Sequence, residues 1–326
     1  MTASFVILTG ALGSGKTTLL STYLALPRAA HTGVIVNDAG EINVDGAIIE
    51  SGGRDLPFAR LGNGCVCCSA GADLGDAIDE LIALRAERGL GDPRQIILET
   101  SGLAEPGPIV RSLTRSRRYR FNLRIVATFD CDRGDFGDDG LPQYAAQLAG
   151  ANAVILTKLD RCTRESRGAR QEEVRRFNPL AAQVVVADAA DRAIAAFGGG
   201  DTVDPGHPAL RVGPRCHPRL TILTARWGVP PAWHMVEDWL DDIAAFCGAR
   251  LLRVKGMISP ADMPGPLLIN AVGDCFGPPT LLRGGASAAQ DGLVLIVRDL
   301  GLPDLATFSR TVSACPPVLT EPGSTR

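Results

Sequence analysis

Two short segments of the chain carry side chains that could do chemistry. Residues 10–18, with the sequence GALGSGKTT, fit the phosphate-binding loop pattern G-x-x-x-x-G-K-[ST]. Residues 65–68, with the sequence CVCC, place three thiols within four positions, and thiolates are ligands that Zn²⁺ and Cu(I) prefer. A phosphate-binding loop and a thiolate metal site in one small domain predict that nucleotide hydrolysis and metal handling are coupled.

The phosphate-binding loop lies between a predicted strand and a predicted helix. The apolar run at 5–8 indicates a buried strand, and residues 17–24 show an apolar stripe at helical spacing. In this order, backbone N–H groups surround phosphate oxygens and the helix N-terminus adds partial positive charge. Lys16 would then reach the β- and γ-phosphates, and the Thr17 hydroxyl would bind Mg²⁺. The alternative is a glycine-rich turn before an ordinary helix. The predicted nucleotide-binding residues of this loop are Gly10, Gly13, Ser14, Gly15, Lys16, Thr17 and Thr18.

Lysine usage points to a second part of the nucleotide site. The chain has three lysines, Lys16, Lys158 and Lys255, against thirty arginines. A chain with this bias should keep lysine mainly at positions that need a compact ammonium and not a planar guanidinium. Lys158 lies in the sequence TKLD, a variant of the guanine-reading N-K-x-D motif that follows an apolar run. Asp160 would accept hydrogen bonds from guanine, Lys158 would pack its stem along the base, and the Thr157 hydroxyl would tie the segment to the phosphate-binding loop. The motif favours GTP over ATP; the alternative is an ordinary turn at the end of a strand.

Acidic residues complete the predicted nucleotide site. The apolar run at 95–98 predicts a strand that ends at Glu99, followed by Thr-Ser-Gly. We expect Glu99 to hold the Mg²⁺ shell and orient the attacking water, and the Gly102 N–H to sense the γ-phosphate. Asp38 and Glu41, which follow the predicted strand at 33–36, would occupy a switch position near Mg²⁺. The alternative for Asp38 and Glu41 is a pair of surface carboxylates.

The cysteines divide into one cluster and six scattered residues. Cys65, Cys67 and Cys68 follow the tight-turn sequence Gly-Asn-Gly, which would present the thiols on a loop. Three thiolates at this spacing can hold Zn²⁺ or Cu(I), and no second C-x-x-C pair occurs to close a structural site. An open, exchangeable metal site is therefore favoured over a redox thiol cluster or chance. The scattered cysteines, expected as small buried or surface residues, are Cys131, Cys162, Cys216, Cys247, Cys275 and Cys315.

The ordered motifs GALGSGKTTLL, VNDAGE-x-x-VDGAII, NGCVCC, ETSGLAEPGPIV and TKLD closely resemble the CobW-like family of P-loop GTPases, relatives of the urease and hydrogenase nickel-insertion GTPases. This resemblance covers roughly the first 160 residues, with fainter matches toward the C-terminus. It implies a GTPase of weak intrinsic activity that binds Zn²⁺, or a similar ion such as Co²⁺, through the C-x-C-C thiols. It also implies a role as a metallochaperone or as a helper in metal insertion, including cobalamin synthesis. The His-rich metal-storing stretch of several family members is absent from this sequence.

The rest of the sequence predicts two domains. Strands that alternate with helices at 74–88 and 163–177 predict a doubly wound, mostly parallel P-loop GTPase domain over residues 1–197. Residues 198–218 contain nine Gly or Pro among twenty-one and predict a linker. Residues 219–314 predict a smaller α+β domain with strands at 220–225, 251–258, 267–272 and 293–297 and a helix at 232–246. Within that helix, the stripe Trp233, Val236, Trp239, Leu240 and Ile243 is expected in the core, and the tail 315–326 is expected to be disordered.

Composition limits the partners. The net charge is −3, which does not favour nucleic-acid binding, although arginines cluster between residues 111 and 124. We expect these arginines on a solvated helix end and loop; a docking surface for an acidic client or a second subunit, as in a homodimer, is the alternative. No secretory segment or apolar run near the ~20 residues of a membrane span occurs, so cytoplasmic location is expected.

Two functions remain open from the sequence. The first is a GTP-hydrolysing metallochaperone whose partner is a client metalloprotein or metal-insertion enzyme. The second is a GTP-dependent regulatory or assembly switch whose thiols sense metal or redox state. A metabolite kinase is a weaker third, because an ATP-using kinase has no need of the TKLD motif.

Overall fold

The computed structural model describes residues 3–36, 58–60, 72–115, 119–132, 137–198, 217–282, 291–313 and 315–321. The chain divides into two compact units, the first drawn from Met1–Val174 and Ala181–Val203 and the second from Arg175–Leu180 and Asp204–Arg326. Of the three junctions between the units, the one after Val203 falls within the segment predicted as a linker, of which residues 199–216 lie outside the described residues. The linker therefore stays a prediction.

A seven-stranded parallel sheet forms the centre of the first unit. Its strand order is β3-β2-β4-β1-β5-β6-β7, and every described pairing is parallel. The strands predicted from continuous apolar runs are confirmed. Such runs are expected in parallel strands, because these are buried on both faces of the sheet. The strands are β1 (Ala3–Gly10), β2 (Thr32–Val36), β3 (Phe58–Arg60), β4 (Gln95–Glu99), β5 (Phe121–Asp130), β6 (Ala153–Thr157) and β7 (Ala182–Val184).

The strand order identifies the ligand-binding edge of this sheet. After β1 the chain passes to β2 and β3 and returns to β4, all on one side of β1, and it then crosses to β5, β6 and β7 on the other side. In open parallel sheets, ligands bind at the carboxyl ends of strands where this reversal occurs. The loops after β1, β4, β5 and β6 therefore converge on one edge. The helices that accompany this sheet are α1 (Lys16–Leu24), α2 (Ala72–Glu87), α3 (Pro106–Arg115), α4 (Gly137–Gly150), α5 (Arg164–Phe177), whose last three residues are assigned to the second unit, and α6 (Ala189–Phe197).

In its described residues, the second unit is an antiparallel sheet with two α-helices. Its strands have the order β11-β10-β9-β13-β8-β14, and β12 pairs with β10. The Trp-containing stripe of α7 packs in the core as predicted: Trp239, Val236 and Ile243 are fully buried, and the Trp239 indole N–H donates to Ser309 Oγ at 2.8 Å. The elements are β8 (Leu220–Arg226), α7 (Trp233–Cys247), β9 (Leu251–Ile258), β10 (Leu267–Val272), β11 (Cys275–Phe276), β12 (Thr280–Leu281), β13 (Gly292–Arg298), α8 (Leu302–Val312) and β14 (Val318–Thr320).

The prediction that the whole tail 315–326 is disordered is wrong for its first part. Strand β14 pairs with β8 in antiparallel register, with Leu319 opposite Ala225. Leu319 is buried, and the Trp227 indole N–H donates to the carbonyl of Cys315 at 3.0 Å. This three-residue strand pairs with the backbone groups at the edge of β8. The amino-acid composition of the tail does not reveal that pairing. Residues 322–326 lie outside the described residues.

The arginine cluster is also not one solvated surface. Arg111 lies on α3, whereas Arg124 lies within β5 and donates from its guanidinium to the carbonyl of Ala196 at 3.0 Å. Burial lowers the pKa of Arg124 below its ordinary value. Arg124 therefore holds the end of α6, and the expectation of a solvated position is wrong for it; residues 117 and 118 lie outside the described residues.

Among the described residues, the helices are all too short or too polar to span a bilayer.

Candidate nucleotide site and metal motif

The loop after β1 has the backbone of a phosphate cradle. Gly10, Gly13 and Gly15 have φ angles of 137°, 75° and 90°, values that side chains disfavour. At Gly10 the requirement is also steric, because a Cβ would lie 2.4 Å from Thr128 Oγ1 and 2.6 Å from the Thr128 carbonyl. Helix α1 then begins at Lys16, and Gly15 provides no side-chain cap. The first N–H groups of α1 therefore face the loop without a capping side chain, as an anion site requires.

Lys16 lies inside this cradle. Its side chain is buried, and Nζ donates to the carbonyls of Gly10 at 3.0 Å and Ala11 at 3.2 Å. The ammonium is thus held over the loop by the loop's own backbone, where a phosphate oxygen can replace a carbonyl as its acceptor. Thr18, by contrast, is exposed.

Thr17 and Glu99 meet as the sequence predicts. The Thr17 hydroxyl donates to Glu99 Oε1 at 2.6 Å, because the register pairs Leu8 of β1 with Glu99 of β4. Glu99 is only 2% exposed. A hydroxyl and a carboxylate at this spacing form the oxygen donor set that Mg²⁺ prefers. The residues present therefore fit the ion, and their role as its ligands stays a prediction.

Gly102 lies against the phosphate-binding loop. A Cβ at Gly102 would lie 2.5 Å from the Leu12 nitrogen and 2.7 Å from its Cα. The buried side chain of Gln147, on α4, donates from Nε2 to the carbonyls of Gly102 at 3.0 Å and Ala104 at 3.1 Å. The loop after β4 therefore contacts the phosphate-binding loop directly. Gln147 was missed by the sequence motifs, because it lies in a helix whose sequence carries no phosphate signature.

Thr157 connects the two loops of the site. Its hydroxyl donates to the Ser14 carbonyl at 2.8 Å and lies 3.0 Å from the Phe129 carbonyl. The Ser14 hydroxyl in turn lies 2.6 Å from Thr128 Oγ1. The predicted tie between the TKLD segment and the phosphate-binding loop is confirmed, and Thr128 is a further member of it that the sequence did not reveal.

Lys158 and Asp160 lie on the turn that follows β6. Lys158 has a left-handed backbone, with φ 54° and ψ 35°, and its Nζ forms an ion pair with Asp130 Oδ2 at 2.5 Å. Asp160 lies in the 3₁₀ turn Leu159–Arg161 and is exposed. Asp130 belongs to none of the sequence motifs of the nucleotide site. The sequence marks it only as an acidic residue at the carboxyl end of a strand.

A neutral thiol lies beside this turn. Cys131 is buried, and its N–H donates to the Thr157 carbonyl at 3.3 Å. Burial raises the pKa of the Cys131 thiol to about 12, and the neighbouring Cys162 and Asp130 act in the same direction. Cys131 is therefore a packing residue, as predicted for the scattered cysteines, and so are the buried Cys247 and Cys275. Cys162 and Cys315 are partly exposed.

The predicted metal site lies outside the described residues. This applies to Cys65, Cys67 and Cys68 and to the switch carboxylates Asp38 and Glu41. Within the described ranges, His, Cys, Asp and Glu side chains form no group of three that could hold a metal ion. Besides the predicted Mg²⁺ ligands Thr17 and Glu99, the sequence offers the C-x-C-C motif as a candidate for binding a metal ion.

Family models match both units. The model described as CobW/HypB/UreG, nucleotide-binding domain, matches residues 4–185. The model described as cobalamin synthesis protein cobW C-terminal domain matches residues 223–312. Together the two matches extend over most of the chain.

Curated relatives share part or nearly all of the chain. A protein named zinc chaperone CobW from Pseudomonas aeruginosa is 31% identical over 350 residues, covering 94% of this chain and 91% of that protein. Zinc chaperone YjiA from Escherichia coli is 33% identical over 158 residues, 47% of this chain and 48% of that protein. Zinc-regulated GTPase metalloprotein activator 1 from Schizosaccharomyces pombe is 28% identical over 190 residues, 54% of this chain and 43% of that protein. The chain thus matches about half the length of the latter two.

A solved structure shares the fold. The crystal structure of Zn(II)-bound YjiA GTPase from E. coli superposes with a TM-score of 0.65 at 21% identity, covering 96% of this chain and 99% of that chain. At that identity the likeness establishes a common fold: a parallel nucleotide-binding sheet followed by an antiparallel sheet domain.

Proposed function

The chain belongs to the CobW/HypB/UreG family and is a GTPase of that family, and from this premise we propose that it is a metallochaperone that binds Zn²⁺ through Cys65, Cys67 and Cys68 and delivers it to a client metalloprotein. The observation that carries the proposal is the C-x-C-C motif, which follows the phosphate-binding loop by about fifty positions in the sequence.

The hydrolytic part follows from the phosphate end of the site. The buried Lys16 ammonium would exchange its bonds to the Gly10 and Ala11 carbonyls for the β- and γ-phosphate oxygens. Thr17 and Glu99 would hold Mg²⁺, which when bound neutralises charge on the β- and γ-phosphates. Glu99 would orient the attacking water, and the Gly102 N–H would donate to the γ-phosphate as negative charge develops on it.

The guanine base would be recognised at the other end of the site, on the turn after β6. Asp160 is exposed at the turn after β6, where its carboxylate can accept from the N1–H and amine of guanine. The stem of Lys158 would pack along the base. Adenine lacks this pair of donors, so GTP would be preferred over ATP.

The cargo part rests on the thiols and on likeness to relatives that are named zinc chaperones. Three thiolates leave the fourth position of a tetrahedral ion for a transferable ligand, and Asp38 or Glu41 from the switch segment could supply it. Co²⁺ is the alternative ion. The partner would be an apo metalloprotein in the cytoplasm, and a homodimer is compatible with this cycle.

Zinc transfer provides the test. An apo zinc enzyme should regain activity faster with the Zn²⁺-loaded protein plus GTP than with free Zn²⁺ buffered at the same concentration. Zn²⁺ affinity should differ between GDP and a non-hydrolysable GTP analogue by about 5- to 150-fold, the usual range for coupled sites. Since thiolate ligation releases protons, Zn²⁺ binding should weaken as the pH falls.

The variant Cys67→Ala should bind Zn²⁺ much more weakly and lose the effect of Zn²⁺ on GTP turnover, while its nucleotide affinity stays near that of the parent. The matched control is Cys315→Ala, which removes a partly exposed thiol from the second unit. Transfer no faster than from buffered Zn²⁺ would contradict delivery. If GTP and Zn²⁺ affinities were nevertheless coupled, the protein would be a metal-sensing switch.

A further inference from the structure

Asp130 is a buried carboxylate at the end of β5 that the motifs of the nucleotide site do not include. Its side chain is 7% exposed. Oδ2 accepts from Lys158 Nζ at 2.5 Å, and Oδ1 accepts from the N–H of Asp132 at 3.0 Å. Because each oxygen has a partner, the carboxylate has one fixed orientation.

Its partner Lys158 has a backbone that needs support. Lys158 and Asp299 are the two residues other than glycine with a positive φ in the described part of the chain. This left-handed conformation is unfavourable for a residue with a side chain. A buried carboxylate that binds the ammonium offsets this cost and fixes the direction of the Lys158 stem. The turn at Lys158 also determines where Asp160, two residues later, is presented.

A second, exposed contact joins the same segments. Asp132 Oδ2 and Arg161 form an ion pair at 3.3 Å, with side chains that are 44% and 60% exposed. Exposed pairs contribute little because water and salt screen them, whereas the Asp130–Lys158 pair, whose two side chains are 7% and 30% exposed, is screened less. The inner pair should therefore hold the turn, and the outer pair serves as its natural control.

We propose that Asp130 is a positioning residue for guanine recognition, which acts by holding Lys158 and the turn that presents Asp160. This inference rests on the proposed assignment of residues 157–160 as the base-reading segment. Asp130 would touch neither phosphate nor base. Its loss should therefore weaken binding of GTP and GDP equally and leave binding of the phosphate chain alone unchanged.

The test compares Asp130→Asn, which keeps the shape and removes the charge, with Asp132→Asn. Calorimetry would measure the affinities of both variants and the parent protein for GTP, GDP, ATP and inorganic tripolyphosphate. We expect Asp130→Asn to lose about tenfold in affinity for GTP and GDP, with tripolyphosphate unchanged, as for a binding-competent turn populated about one-tenth of the time. Asp132→Asn should stay within about twofold of the parent for all four ligands.

A double variant tests whether Asp130 acts through Lys158. Asp130→Asn combined with Lys158→Met should bind GTP no more weakly than Lys158→Met alone, since the second change removes the group that Asp130 holds. Additive losses would overturn the inference. An equal loss of tripolyphosphate affinity in Asp130→Asn would also overturn it, because that result shows a general structural effect.

Failure of this inference is distinguishable from failure of the proposed function. A parent protein that does not prefer GTP over ATP removes the base-reading assignment itself. A parent that prefers GTP, with Asp130→Asn unchanged, removes only the role of Asp130. If Asp130→Asn unfolds below the assay temperature, Asp130→Glu, which keeps the charge, replaces it in the same four titrations. The affinities of Asp130→Glu for GTP and GDP should be close to those of the parent protein. A loss of affinity shared by all four ligands would count against the inference.

Discussion

The proposed phosphate end and the proposed base end of the nucleotide site are held in different ways. At the phosphate end, Lys16 binds the Gly10 and Ala11 carbonyls of its own loop, so the ammonium is held within one continuous segment. At the base end, Lys158 is held by Asp130, a residue 28 positions earlier on a neighbouring strand. The first end is therefore defined by a local motif, and the second depends on the register of two strands.

This difference has consequences for mutation. Changes in the phosphate cradle should affect every ligand that carries a phosphate chain. Changes at the base end should affect guanine nucleotides only. Variants at the phosphate end, at the base end and at the contact between the two ends can test this difference.

Lys16→Ala should have the largest effect. It removes a buried ammonium that would contact two phosphates, and each hydrogen bond to a charged group contributes about 1.5–3 kcal/mol. Two such bonds correspond to an affinity loss of about 1,000-fold for GTP, and the single bond to the β-phosphate of GDP corresponds to a loss of roughly 10- to 150-fold. Lys158 cannot substitute, because it is ion-paired with Asp130 at the base end. Equilibrium titration with fluorescent GTP and GDP would measure the loss.

The control for this variant is Lys255→Ala, on β9 of the second unit. It should leave both affinities unchanged. Near-parental affinity of Lys16→Ala would mean that the phosphate chain binds elsewhere.

Gly102→Ala should slow hydrolysis by about 100-fold, the usual cost of removing one donor that stabilises developing charge. The added Cβ would lie 2.5 Å from the Leu12 nitrogen, so one loop must move. The phosphate-binding loop is held by buried contacts of Ser14 and Lys16, and the loop of Gly102 should therefore be displaced. Steady-state GTP turnover and GDP affinity would be measured together, and GDP affinity should change by less than about threefold.

Helix α4 supplies the matched control. A Cβ at Gly140 would meet nothing within 4 Å, so Gly140→Ala should keep full turnover and raise the free energy of unfolding by about 0.5–1 kcal/mol. If Gly102→Ala and Gly140→Ala hydrolyse GTP at the same rate, the loop after β4 does not sense the γ-phosphate.

Asp160→Asn should have a smaller and more selective effect. The change replaces a charged acceptor with a donor on the same frame, so GTP affinity should fall by roughly 10- to 100-fold, and XTP should become the preferred nucleotide. Tripolyphosphate affinity should be unchanged. Competition titrations with GTP, XTP and ATP would measure the switch, with Glu165→Gln, an exposed carboxylate on α5, as the control. Parental GTP affinity in Asp160→Asn would place guanine recognition on other residues.

The contrast between the two ends also explains what the sequence could predict. The strands of the parallel sheet appear as continuous apolar runs, and the phosphate-binding loop as a motif, because both are local. Asp130, Thr128 and Gln147 were not predicted, because their contacts depend on strand register and on a helix that packs across the loop.

The same reasoning applies to the elements that were missed or misplaced. Strand β14 has three residues and is stabilised by pairing with β8, which lies about ninety positions earlier in the chain. Helix α4 contains Gly140 and Pro142, residues that ordinarily argue against a helix, yet its apolar side is buried. Arg124 resembled a surface charge because five other arginines lie within residues 111–120, and only the position of α6 shows that its guanidinium has a backbone partner.

Thr157→Val tests the connection between the two ends and should have the smallest effect. Valine has nearly the shape of threonine, but it removes the hydroxyl that binds the Ser14 and Phe129 carbonyls. The loss of these contacts should lower the free energy of unfolding by roughly 1–3 kcal/mol. Because neither end loses a group that touches the nucleotide, GTP affinity should fall by only about three- to tenfold, or about 0.7–1.4 kcal/mol. Thr157→Ser keeps the hydroxyl and should restore both quantities.

A double-mutant cycle with Gly102→Ala then tests whether the Thr157 hydroxyl couples the base end to the phosphate-binding loop. Gly102→Ala should have the same effect on GTP affinity in the parent protein and in Thr157→Ser, because both carry the hydroxyl that binds the Ser14 carbonyl. Its effect should differ in Thr157→Val, where that hydroxyl is gone. Calorimetry for affinity and urea unfolding for stability would supply both sets of numbers. Strict additivity in the cycle would show that the two ends bind their parts of GTP independently.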